Sequence, residues 1–107
     1  MKFLMQARFT QEGVKRLLRD GAIKRAEEAR RMFESLGAKI ETGPVFTFGQ
    51  EIRAFSLIEA DHPVPGAIVT AVFASGLAEV TVTRLNTPQE AEEILQRAGT
   101  VRVPGSN

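Results

Sequence analysis

The sequence predicts an α+β fold, a four-stranded antiparallel sheet with helices on one face. Period-two alternation of apolar residues recurs in four stretches, near residues 2–9, 38–48, 51–60 and 79–85. Helical patterns with capping residues lie between the first and second stretches and between the third and fourth. Only a short turn at Gly49-Gln50 parts the middle two, so they pair as a hairpin.

In Lys2 to Phe9, residues Phe3, Met5, Ala7 and Phe9 point one way and Lys2, Leu4, Gln6 and Arg8 the other. The first set is a buried face; the second is mixed. Thr10 is an N-cap and Glu12 suits the positive end of a helix. Gly13 and Gly21 each weaken a continuous helix by about 1 kcal/mol, which predicts a short first piece before a main helix. That helix carries Ala22, Ala26, Ala29, Phe33 and Leu36 as its apolar stripe. Lys24, Arg25, Glu27, Glu28, Arg30, Arg31 and Glu34 form a face laced with ion pairs, read as solvated. Gly37 is the expected C′ residue.

Ala38 to Phe48 is a strand interrupted at Gly43-Pro44, hence an edge strand or a bulged one. Glu51 to Ala60 is largely apolar on both faces, as a central strand covered on two sides would be. After the loop Asp61-His62-Pro63-Val64-Pro65, a helix over Gly66 to Ser75 has almost no polar face and is expected to be buried on more than one side. Glu79 to Leu85 alternates again. Thr87, Pro88 and Glu90 then form a capping box for a C-terminal helix expected to turn Ala91, Ile94 and Leu95 inward. Val101-Arg102-Val103-Pro104 reads as a short edge strand or a linker.

A βαββαβ order closes into the ferredoxin-like plan, here with an extra C-terminal helix. In that plan the first and third strands are central, and they are the two whose faces divide least cleanly. Residues 1–98 form one expected domain and 99–107 a C-terminal tail.

With 107 residues, a single core is expected. A formal charge of +1, from 14 basic and 13 acidic residues, argues against a dedicated nucleic-acid binder. The absence of cysteine removes disulfides, thiolate metal sites and a Cys nucleophile. The longest largely apolar run, Ala67 to Ala74, is far short of the ~20 residues of a membrane span, and Met1 to Gln6 turns polar too early for a signal peptide. A cytoplasmic protein without a membrane partner is expected.

Several features resemble the GYD-domain family of small bacterial proteins, within the dimeric α+β barrel group. They are Thr10…Gly13, Arg25…Ala29…Leu36-Gly37, and Phe48-Gly49-Gln50 leading to Leu57-Ile58-Glu59-Ala60. Ser75-Gly76…Val80-Thr81-Val82-Thr83-Arg84 and Pro88-Gln89-Glu90…Ile94 resemble it too, so that the likeness spans residues 2–98. The Tyr-Asp pair that names the family is missing; Glu51-Ile52 or Ile52-Arg53 stands in its place, and chemistry resting on that pair does not carry over. The resemblance implies two subunits paired sheet against sheet, a homodimer or a larger assembly of dimers. It implies no settled activity.

Candidate site residues are few. His62, the only histidine, stands in a strand-to-helix loop, where an exposed loop residue is the plainer reading and a general base or metal ligand the sharper one. One histidine without cysteine assembles no typical zinc site, and neither a metal nor a cofactor is implied. Arg8 and Arg53 fall on the two central strands and share a sheet face. Beside Gln6 and Glu51 or Glu59 they would hold a carboxylate or enolate, or else pair with those glutamates at a subunit interface. No phosphate loop, GxSxG elbow or RNA-binding aromatic run is present. The expectation is a module for binding a small hydrophobic molecule or for assembly, with a partly apolar cleft between sheet and helices. The alternative is a cofactor-independent enzyme, isomerase- or monooxygenase-like, acting on a small hydrophobic or aromatic acid in that cleft with His62 and Arg53 converging on it.

Overall fold

A computed structural model describes residues 1–106. Its strands are β1 (Lys2–Phe9), β2 (Lys39–Phe48), β3 (Ile52–Glu59) and β4 (Ala78–Leu85). Its helices are α1 (Gln11–Asp20), α2 (Ala22–Ser35), α3 (Val64–Ser75) and α4 (Pro88–Ala98). The sheet order is β2-β3-β1-β4 with every neighbouring pair antiparallel, the ferredoxin-like arrangement with β1 and β3 central.

Register divides the residues of the sheet between two faces. Met5 stands opposite Ser56 and Val82; Gln6 stands opposite Phe55 and Thr81. Phe3, Met5 and Ile58 therefore face the helices, where they meet Phe33 of α2 and Ile68 of α3 in the core. Ile58 is fully buried and Ile68 nearly so, each contributing about 1.5–3 kcal/mol by leaving water. Helix α2 lies over β2 and α3 over β4, and the two helices do not close against each other.

The Gly43-Pro44 interruption is both an edge and a bulge. β2 is an outer strand, and its pairing with β3 slips twice, between Ile40 and Thr42 and between Thr42 and Val45. Gly43 has φ +96°, and a β-carbon there would stand 2.5 Å from the Phe55 carbonyl oxygen. The close approach of two backbones requires glycine at this position.

The first helical piece is short, as expected: α1 ends at Gly21 and α2 begins beside it. Thr10 accepts a hydrogen bond from Gly13 N–H at 3.1 Å and donates to the Gly76 carbonyl at 2.7 Å. The Thr10 N–H also bonds the Leu77 carbonyl at 3.0 Å, so the β1–α1 junction is tied to the α3–β4 junction.

Three expectations need correction. Helix α3 begins two residues early, at Val64, because Pro65 is accommodated in the first turn where no N–H is needed. Within one chain its Phe73 is left 67% exposed. The inward face expected of α4 is absent: Ile94 and Leu95 are exposed, because the helix runs beyond the sheet and touches the rest of the chain only sparsely. At the ends of the α2 stripe, Ala22 and Leu36 are exposed, whereas Phe33 is buried and Ala26 and Ala29 are partly so. Of the two readings of Val101 to Pro104, strand or linker, the strand does not form.

Candidate functional site

The space left between α2 and α3 is a cleft of about 290 Å³ over the helix-facing side of the sheet. Its origin is visible in the side chains. At one end of the sheet the large Phe3 and Ile58 fill the inner face; toward the other, β1 and β3 offer the small Ala7 and Ala54, directly paired in register. Ala29 of α2 and Ala71 of α3 form part of the walls. Small residues facing one another leave a void that larger ones would have filled.

The lining is mainly apolar, with an aromatic side. Phe9 and Phe46 line it with ring centroids 6.4 Å apart and planes at 19°, and Phe48 stacks on Phe46 at the same spacing toward the sheet edge. Polar groups in the lining are the buried Ser56, Ser75, Glu28 and Arg25. Arg25 is the only cation among them. Its Nη2 lies 3.5 Å from Asp20 Oδ2, a distant contact, since Asp20 already accepts from Arg19 Nε at 2.8 Å and Nη2 at 3.1 Å. Those bonds from Arg19 hold the Asp20 carboxyl below its ordinary range. The Nε of Arg25 is buried and has no hydrogen-bond partner. Arg25, read from the sequence as part of a solvated face, is instead half-buried at the cleft, whereas Glu28 lines the cleft and is exposed as that reading expects.

Arg8 and Arg53 do share a face, and register sets them directly opposite each other. It is the face away from the helices. With Gln6, Glu51, Glu79 and Thr81 they line a shallow depression of about 180 Å³. Both guanidiniums are already engaged: Arg8 with Glu79 at 2.6 Å, Arg53 with Glu51. The bond to Glu79 raises the Arg8 pKa further, so its charge is fixed. Glu59 does not join this group. It stands opposite Lys2 and Lys39, at the other end of β3.

His62 and Arg53 are not brought together either. The strand from Arg53 to Glu59 spans roughly 20 Å at ~3.3 Å per residue, with His62 exposed beyond its far end. His62 lines neither the cleft nor the depression. Among the described residues no three His, Asp or Glu side chains cluster as a metal site requires, and no helix is long and apolar enough to cross a membrane.

The sequence pointed to a cleft between sheet and helices but not to the residues that line it, because the lining depends on pairing. The signal was present in Ala7 and Ala54, small residues on otherwise large-residue faces, but only register sets them side by side.

No family model and no curated protein matches the sequence. Among solved structures, the chain is similar to the 5-chloro-2-hydroxyhydroquinone dehydrochlorinase TftG of Burkholderia phenoliruptrix AC1100, in complex with 2,5-dihydroxybenzoquinone. The two are 19% identical with a TM-score of 0.55, over 83% of this chain and 97% of that one. This chain has a ferredoxin-like α+β fold. At that identity the likeness concerns fold alone.

Proposed function

We propose that the protein is a cytoplasmic small-molecule-binding module, related to the GYD-domain proteins and working as a homodimer, with its ligand in the cleft between sheet and helices. One observation carries the binding role: an apolar cleft of about 290 Å³ at the small end of the ~300–1,000 Å³ that ligand sites occupy. Facing alanines keep it open. A core built only for stability would fill that space, because packing voids cost stability.

The pairing of subunits rests on the other face of the sheet. Leu4, Phe55 and Leu57 on the central strands are only partly covered, and Val45 is 52% exposed. The pairs Arg8–Glu79 and Arg53–Glu51 border this apolar strip, an arrangement suited to a polar rim around an interface core. Phe73 on α3 offers a further contact for assembly of dimers.

A catalytic role on a small hydrophobic or aromatic acid is the second reading. It is favoured by the dehydrochlorinase, an enzyme of the same fold whose complex holds 2,5-dihydroxybenzoquinone. Turnover would need a proton-transfer group in the cleft, and Glu28 rather than His62 is the titratable side chain within reach of it.

The binding role is tested with protein labelled at its methionine methyls. Met5 and Met32 line the cleft and Met1, exposed at the chain start, is the internal control. Titration with benzyl alcohol should move the Met5 and Met32 resonances and leave Met1 in place. An Ala54→Leu variant should abolish those shifts. Shifts in all three methionines, or in none, would discard the cleft as a ligand site.

A further inference from the structure

We infer that the cleft selects a small aromatic monoanion, a one-ring carboxylate, and that the Arg25 guanidinium anchors its charge. This rests on the cleft being a ligand site and adds the ligand's charge and the residue that reads it.

Three features of the cleft converge on this assignment. The only cation in an otherwise mainly apolar lining is Arg25. Its side chain is 22% exposed, and the carboxylate it pairs with, Asp20, lies 3.5 Å away and already accepts two hydrogen bonds from Arg19. Its Nε–H has no partner at all. A buried donor without an acceptor is an unfavourable arrangement, and more so on a charged group. An arginine beside a well-placed carboxylate normally forms two parallel bonds. A carboxylate entering the cleft would supply the acceptors that Arg25 lacks, with a modest rotation of the guanidinium toward it.

The remainder of the lining fits the ring. Phe9 and Phe46 present stacked faces, and the volume suits one ring with a short substituent. Glu28, three residues along α2, also lines the cleft but is exposed, where hydration weakens its repulsion of an anion. A cationic ligand would reverse the roles, drawn to Glu28 and repelled by Arg25.

Benzoate, benzyl alcohol and benzylamine, titrated into the intact protein and followed at the Met5 and Met32 methyls, separate the outcomes. Benzoate should bind at least about tenfold tighter than benzyl alcohol, a ratio within the strength of a charge-assisted bond. Arg25→Gln should erase the difference between benzoate and benzyl alcohol, while Arg25→Lys should retain part of it. Equal binding of benzoate and benzyl alcohol by the unmodified protein would overturn the anchor and leave the cleft as a ligand site. So would a preference for benzylamine, or an Arg25→Gln protein that still prefers benzoate. Failure of all three probes to shift the two methyls would overturn the cleft as well. The comparison in the unmodified protein is decisive even if Arg25→Gln does not fold.

Discussion

At Gly13, a β-carbon would stand 1.9 Å from the Leu77 carbonyl oxygen, the same oxygen that accepts from Thr10 N–H. Gly13→Ala must push α1 away from the α3–β4 junction, and overpacking of this kind costs about 1–3 kcal/mol. The urea midpoint should fall accordingly, whereas Gly49→Ala, where nothing lies within 4 Å, should change it by no more than ~0.5 kcal/mol. From the sequence, Gly13 looked like a weak point in a helix; its need for contact with a residue 64 positions on was invisible. The same limit applied to Arg25. Its place in a run of charges predicted solvent, and only the packing of α2 over the sheet puts it, with Ala29 one turn on, at the cleft.

The C-terminal helix shows how far local chemistry reaches. Thr87 Oγ1 accepts from Glu90 N–H at 3.2 Å, and Glu90 Oε1 accepts from Thr87 N–H at 2.9 Å, completing the box read from the sequence. The Thr87 backbone N–H is the chief cause that holds the Glu90 carboxyl below its ordinary value. A lowered folded-state pKa stabilises where the group is ionised in both states. That contribution is present above the ordinary glutamate range and disappears as pH falls through the lower folded value. The protection factors of amides in the first turn of α4 should therefore fall as pH drops through the ordinary glutamate value toward the lower folded one. Glu90→Gln, which can still cap but does not titrate there, should flatten the profile. Thr87→Ala should cost about 0.5–2 kcal/mol of local helix stability. Because α4 barely touches the sheet, global unfolding of the other elements should hardly shift. An 11-residue helix is marginal alone, so its ends were legible and its packing was not.

For the whole molecule, shape and exposed surface bear on assembly. The radius of gyration is 16.9 Å, against ~13 Å expected for a compact chain of about this length, and the long axis is 56 Å. The outer sheet face, with Leu4, Phe55 and Leu57 half-covered, is the surface on which a second copy is proposed to sit. Sedimentation at micromolar concentration should give a dimer, and Leu57→Glu, which places an unpaired charge in the interface core, should give a monomer with an unchanged fold. A monomeric unmodified protein would discard the pairing.

The sequence by itself determined the elements, their order and the central position of β1 and β3, because alternation, caps and turns are written in neighbouring residues. It also marked Gly43-Pro44 as an edge or bulge and set Arg8 and Arg53 on one face. Tertiary structure alone decided what lies beside what. Register paired Ala7 with Ala54, the separation of α2 from α3 left the space above them, and the length of β3 kept His62 away from Arg53. These are relations between residues distant in the chain, fixed by packing and strand pairing rather than by local preference.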